Sequence, residues 1–101
     1  MTKKNPFDIQ ADREAAEARE HELRVRREQY ARDLAEVMRS RAGRHVVAEW
    51  IRRYGKDADP FDTNAMLMAR KSGIRLVALE LAQEIKAALP EEYRLMEAEN
   101  G

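Results

Sequence analysis

The apolar residues of this chain crowd into its second half, and their spacing there constrains the fold more than any other feature. From Asn64 to Leu89 they recur with helical periodicity and cover much of the helix circumference. A helix that is apolar over so much of its surface is typical of the centre of a fold. Pro90 then interrupts the segment, because proline cannot continue a helix but suits the first position of a new one. The pattern predicts a long central helix followed by a short one.

The central helix is expected to supply most of the core. Gly73 has no side chain, so another helix is expected to approach closely there. Asp62 or Thr63 is placed to cap the helix. Phe61, a lone aromatic in the polar loop before it, is expected to plug into the core. The main apolar stripe consists of Ile74, Val77, Ala78, Leu81, Ile85 and Ala88.

Two more helices are predicted before the central one. The first runs from about Asp8, its N-cap, to Arg39 and consists mainly of strong helix formers. From Leu23 onward it gains an apolar stripe, which we expect to pack on the domain. The second runs from Gly43 to Tyr54 after a bend, and glycine at position 55 fits the residue that ends a helix. Its apolar face holds Val46, Val47, Trp50, Ile51 and Tyr54.

These elements predict an all-α fold without strands. We expect a small helical bundle of three main helices plus a short C-terminal helix, with a long charged N-terminal helix. Residues 1–22 are expected to form a charged tail and a projecting helix, and residues 23–101 the helical core domain. A chain of this length buries only roughly 60–65% of its unfolded surface, so a partner would add to a marginal stability.

Composition excludes several classes of protein. The chain has no cysteine, which excludes a disulfide framework. It has no run of about 18 apolar residues, so no membrane-spanning segment is expected. The N-terminus lacks the apolar stretch of a secretory signal, which predicts synthesis in the cytoplasm.

The net charge of zero hides strong segregation. From Asp8 to Leu23, six acids face two bases, which leaves −4; from Arg24 to Lys56, ten bases face four acids, which leaves +6. Such alternating blocks can bind complementary blocks on a neighbouring copy or on another protein.

No residue pattern indicates catalysis or a metal. Counted from Asp57, the acidic loop fails the calcium-binding EF-hand pattern at its fifth, sixth and twelfth positions. His21 and His45 lie on different segments and have no cysteine to complete a zinc site. No serine, base and acid share a recognisable motif. The sequence therefore predicts no catalytic residue, no cofactor and no bound metal.

The arginine-rich segment between Arg24 and Arg53 leaves two interpretations open. Clustered arginines can contact the phosphates of nucleic acid, which would make this a small DNA-binding or regulatory protein. Interleaved acids such as Glu28 and Glu49 instead favour the solvated faces of packed helices. In the first helix, Ala11 and its neighbouring alanines are too small for a strong coiled-coil seam. We therefore expect either lateral contact of this helix with a larger neighbour or a helix that is simply exposed, rather than self-dimerisation through it.

A set of spaced residues from Ala42 to Glu99 resembles a family of small proteins encoded among the structural genes of short-tailed bacteriophages of Proteobacteria. The resemblance implies a virion-associated or assembly protein without enzymatic activity, made in the host cytoplasm. Its partners would be other phage structural proteins, in several copies around a symmetric ring. The residues that carry it are Gly43-Arg44, Val46-Val47, Trp50-Ile51, Phe61, Gly73-x-Arg75, Val77, Leu79, Leu89-Pro90-Glu91-Glu92-Tyr93, Met96 and Glu99.

The predicted function is docking on a larger assembly near the portal, the tail or the internal ejection machinery. A scaffold or chaperone that leaves the mature particle is an alternative. Arg75 and Tyr93 are the motif residues that a generic helical core needs least, and they can pair with each other or with the acidic loop. Each candidate docking residue could instead belong to the core or to a part of the surface that binds no partner. The candidates are Ala15, Arg24, Tyr30, Trp50, Arg75, Tyr93 and Met96.

Overall fold

The computed structural model describes residues 5–101, and it confirms the all-α fold. Helix α1 is Pro6–Arg39, α2 is Arg41–Ile51, α3 is Ala65–Ala88 and α4 is Pro90–Asn100. A π-helical turn, Arg52–Lys56, continues α2. Within the described range there is no strand. The predicted start of α4 at a proline, with two glutamates in its first turn, is confirmed.

The chain divides into two compact units, one up to Leu34 and the other Ala35–Gly101. The predicted division lay between residues 22 and 23, and the first four residues of that predicted tail lie outside the described part. We expected the apolar stripe of α1 to pack on the domain from Leu23 onward, and between Leu23 and Leu34 this expectation is wrong. Leu23, Val25 and Tyr30 are all about half exposed. Charged residues on every turn keep this stretch of helix in solvent.

The helices begin at caps that the sequence offers but that we assigned to other residues. Asn5 Oδ1 accepts the Asp8 amide at 2.9 Å, so Asn5 rather than Asp8 caps α1. Asn64 Oδ1 accepts the amides of Met66 and Leu67 at 2.9 and 3.1 Å, so Asn64 caps α3. Asparagine and aspartate cap about equally well, which is why sequence alone did not separate these neighbours.

Two glycines allow close approaches inside the second unit. The predicted bend before α2 is present: Ser40 caps α2, and a β-carbon on Gly43 would clash with the Val37 carbonyl oxygen. We expected Gly55 to end the second helix in a left-handed conformation, and this expectation is wrong because its φ is not positive. It lies buried in the π-helical turn, where a β-carbon would sit 3.3 Å from Cβ of Ala78.

The core of the second unit is smaller than predicted. Ile74 and Val77 are 46% and 66% exposed, and Phe61 is 69% exposed. Apart from the adjacent backbone of its own helix, nothing lies within 4 Å of where a Gly73 side chain would start. The reason is that α3 turns two alanines towards its neighbours, and these small side chains let the helices come close while larger residues fall to the side. The buried apolar residues are Met38, Val47, Ile51, Ala78, Ala82, Ile85 and Met96.

Candidate interaction site

An open groove runs between α2 and α3 in the second unit. Its volume is about 260 Å³, and almost all of its lining is apolar. We call it the Trp50 groove. It is lined by Trp50, Ile51, Tyr54, Ile74, Val77, Ala78 and Leu81.

The groove has a buried floor and exposed walls. Ile51 and Ala78 form the floor and are 3% and 8% exposed. On the α2 side the wall is Trp50, at 55% exposed, and on the α3 side it is Val77, at 66%. Leu81 is half-buried. The lining is thus a continuous surface that starts in the core and opens to solvent.

A hydrogen bond from a side chain of α3 to the backbone of the turn after α2 links the two walls of the groove. The Asp57 amide donates to the Arg52 carbonyl at 2.8 Å, which makes the turn after α2 a π-helical one. Within this turn the Gly55 carbonyl accepts Nε of Arg75 at 3.2 Å, and Arg75 belongs to α3. Gly55 has no side chain, so α3 can approach this turn closely. The hydrogen bond from Arg75 then links the turn to α3 beside the groove.

The apolar side chains that wall this groove expose a large area for a chain of this size. A fully exposed aromatic side chain offers about 150–250 Å², so the exposed fractions of Trp50, Tyr54, Ile74 and Val77 amount to about 400 Å². Only part of this area lies inside the groove, and the rest lies on its rims. The largest apolar patch of a typical monomer covers about 300–600 Å² and is often functional. The four wall residues together fall in that range, whereas single exposed apolar side chains need no explanation.

A second, larger groove of about 610 Å³ lies between α2 and α4, and its chemistry differs. Its charged groups bind one another: Arg52 and Glu49 are 2.6 Å apart, and Lys56 and Glu97 are 3.9 Å apart. The hydrogen bond from Arg52 lowers the pKa of the Glu49 carboxyl. Groups already satisfied by their neighbours leave little for a ligand to bind, so the smaller apolar groove is the better candidate site.

Beside that groove, a single arginine joins the ends of two helices. Arg44 forms an ion pair with Glu99 at 2.8 Å, and both side chains are largely buried. Its Nη1 also donates to the carbonyls of Met38 and Arg39 at 3.0 and 2.7 Å, which satisfies the last turn of α1. Arg44 and Glu99 both belong to the sequence motif, but their pairing was not predicted, because no local spacing joins residues 55 positions apart.

The predicted docking residues fall in different environments. Trp50 lines the apolar groove, and Arg75 binds the Gly55 carbonyl. Tyr93 is half-buried, and burial together with a hydrogen bond to Glu97 raises its pKa. Arg75 and Tyr93 therefore bind separate partners, not each other or the acidic loop. Met96 is 4% exposed and belongs to the core, so the expectation of a docking surface at Met96 is corrected.

The other three candidates lie on α1 in the first unit. Ala15, Arg24 and Tyr30 are all exposed there. Of the residues that line the groove, the sequence predicted only Trp50 as a docking residue. Tyr54, Ile74 and Val77 were predicted to face the core but are exposed, and Leu81 is half-buried. The signal was present, since these residues formed the predicted apolar faces, but those faces were assigned to the core.

Many arginines of the basic segment are held by neighbouring side chains. Arg39 pairs with Glu36 at 2.8 Å, and both Arg52 and Arg53 reach Glu49. Arg44 is buried against Glu99. Guanidinium groups engaged in this way are poorly placed to contact phosphates. For these four of the nine arginines between Arg24 and Arg53, the geometry favours packed and solvated helix faces over a nucleic-acid surface.

Comparison with known proteins gives no further assignment. No family model matches the chain, and no curated protein and no solved structure is significantly similar to it. Within residues 5–101, no helix combines the length and apolarity needed to cross a membrane. In the same range, no group of three or more metal-ligating side chains comes together.

Proposed function

We propose that this chain is a non-enzymatic interaction protein that docks on a larger protein assembly through the Trp50 groove. The observation that supports this is the continuous, uncharged lining that runs from the buried floor at Ile51 to the exposed wall at Val77. Apolar surface of this extent is stabilised when another protein covers it.

The assembly that we propose is the virion of a short-tailed bacteriophage. The support is the resemblance of residues 42–99, in which Trp50 and Val77 are both motif residues and both line the groove. On this proposal the partners are structural proteins of the particle near the portal, the tail or the ejection machinery, and further copies of this chain are among them. An assembly scaffold that leaves the mature particle is the second form of the same proposal, because it would use the same groove.

Mass spectrometry of purified particles tests the proposal. We expect the chain in particles of the phage that encodes it, and Val77→Asp should reduce its amount about tenfold, since a charge in the groove must be desolvated on docking. Leu76→Asp is the matched control: Leu76 is 57% exposed on the same helix but does not line the groove.

Two outcomes contradict the proposal in different ways. If the wild-type chain is abundant in assembly intermediates but missing from mature particles, the scaffold form is correct and the virion component is wrong. If Val77→Asp enters particles as well as Leu76→Asp does, the groove is not the docking surface.

The nucleic-acid alternative predicts a different result. A protein that bound DNA through the arginines between Arg24 and Arg53 would lose affinity steeply as salt rises. We expect filter binding at two salt concentrations to show no such salt-dependent affinity. The chain has no net charge, and four of the nine arginines of the segment, Arg39, Arg44, Arg52 and Arg53, are already paired with carboxylates.

A further inference from the structure

We propose that the occupant of the Trp50 groove is a second copy of this chain, with the two α3 helices packed antiparallel about a twofold axis at Val77. This inference rests on the proposed function, since it names the partner of the same groove. Val77 is the most exposed of the groove residues, at 66%, and a residue on the axis meets its own counterpart.

The charges of α3 are arranged symmetrically about Val77. Arg70 lies seven residues before it and Glu84 seven residues after it. Seven residues are about two helical turns, or about 10.5 Å, so both lie on the same face as Val77. In an antiparallel pair, Arg70 of each copy therefore faces Glu84 of the other, and the pair contains this contact twice.

Both charges are available for such a contact. Across residues 5–101, neither Arg70 nor Glu84 has an ion-pair partner, whereas the next base, Lys71, binds Asp62 at 3.0 Å. The part of α3 before Val77 carries bases and no acid, and the first charges after it are Glu80 and Glu84. A parallel pair would place like charges together, so this distribution favours the antiparallel one.

The shape of the α3 surface around Val77 is also complementary to itself. Gly73 lies four residues before Val77 and Leu81 four residues after it, so the antiparallel pair brings each Gly73 near Leu81 of the second copy. The space at Gly73 is open, because no heavy atom beyond the adjacent backbone of its own helix lies within 4 Å of where its side chain would start. A large apolar side chain thus meets a gap on the facing helix.

The available area is close to what a stable pair needs. A standard interface buries about 800 Å² per partner. The groove and its rims, formed by Trp50, Tyr54, Ile74 and Val77, expose about 400 Å², and Met66 and Leu67, at 83% and 46% exposed, extend the α3 side by about 250 Å². The aliphatic parts of Arg70 and Glu84 add to this. The net charge of zero leaves no overall repulsion between two copies.

Sedimentation equilibrium of the full chain tests the pairing. We expect twice the chain mass of 11.7 kDa at micromolar concentration. Val77→Asp should weaken the dimer at least about a hundredfold, because it brings two carboxylates together in a desolvated contact. Leu76→Asp, outside the groove, should leave the dimer unchanged, and far-ultraviolet circular dichroism should show that both variants keep their helical content.

Charge reversal tests the antiparallel register. Arg70→Glu alone and Glu84→Arg alone should each weaken the dimer about tenfold, since each change makes two attractive pairs repulsive. The double variant R70E/E84R should restore the wild-type dissociation constant. A double variant no tighter than the single ones would overturn the register, and a dimer indifferent to Val77→Asp would overturn the surface.

Failure here is separable from failure of the proposed function. A chain that stays monomeric but needs Val77 to enter particles has a different protein in its groove, which overturns the second copy and leaves the docking role in place. A dimer that forms through Val77 while the chain is absent from every particle and intermediate supports the pairing and overturns the virion assignment.

Discussion

Helix α3 is covered along its C-terminal half and open along its N-terminal half, although both halves are rich in apolar residues. In residues 78–88, Ala78, Ala82 and Ile85 are buried, whereas in residues 65–77 no residue is fully buried. The difference teaches that close approach by neighbouring helices, which the small Ala78 and Ala82 allow beside the buried Ile85, and not the density of apolar residues, decides which half is core. The larger residues of the open half remain at the surface, where a partner can cover them.

Matched isoleucine substitutions are the most direct way to break this comparison. Ile85 is fully buried and Ile74 is 46% exposed on the same helix. We expect Ile85→Ala to lower the free energy of unfolding by about 4 kcal/mol, since it leaves a cavity, and Ile74→Ala to lower it by about 1 kcal/mol. Urea denaturation at low protein concentration measures both. Equal losses would show that the open half is covered by its own chain.

Matched arginine substitutions test the polar side of the same contrast. Arg44→Ala leaves the largely buried Glu99 carboxylate without its partner and two carbonyls without a donor, so we expect a loss of about 3 kcal/mol. Arg70→Ala, on the exposed face of α3, should change stability by less than about 0.5 kcal/mol. Thermal unfolding of the two variants measures the difference. A small effect at Arg44 would mean that the α1, α2 and α4 ends are held by apolar packing alone.

Matched glycine substitutions sharpen the comparison further, because they should change stability in opposite directions. Gly43→Ala places a methyl group against the Val37 carbonyl oxygen, which is backbone and cannot move aside, so we expect a loss of about 2 kcal/mol. Gly73→Ala adds a methyl group in open space inside a helix, so we expect a gain of up to about 1 kcal/mol for the isolated chain. Stability measured at low concentration, where any dimer is dissociated, should show opposite signs. A loss at Gly73 would mean that another part of the chain approaches there.

The sequence predicted the elements well and the burial poorly. Pro90 and the charged, alanine-rich first segment marked α4 and α1, because proline and strong helix formers act locally. Apolar periodicity also located α3, but periodicity identifies a face and not what covers it. Ile74 and Val77 lie on the predicted face and are exposed, since their coverage depends on how closely Ala78 and Gly55 let two helices approach.

The candidate site was predictable only in part for the same reason. Trp50 was named as a docking candidate because it is an apolar residue that the core does not need. Its opposite wall at Val77 was read as core, and the Arg75 contact that links the two walls of the groove depends on a π-helical turn without a sequence signature. Long-range pairs such as Arg44 with Glu99 lie beyond any periodicity argument.

The smallest predicted effect concerns Asp62 and Asn64, whose hydrogen bonds stabilise the start of α3, where few side chains are buried. Successive polar caps lead into it: Asp62 accepts the Asn64 amide at 2.8 Å, and Asn64 then caps the helix. The amide of Asn64, aided by Lys71, lowers the pKa of the Asp62 carboxyl below its ordinary value.

Because the folded-state pKa of Asp62 is depressed, its contribution to stability is present above the unfolded value of about 3.9 and is lost as pH falls through the lower folded value. We expect a carboxyl titration by nuclear magnetic resonance to give a midpoint below that of an unfolded peptide. Lys71→Ala should raise the midpoint only partly, since the amide of Asn64 is the larger cause. Asp62→Asn should flatten the acid side of the thermal-stability profile. A midpoint at the ordinary value would mean that the open half of α3 is ordered by something other than its caps, and the covering partner would then be the first place to look.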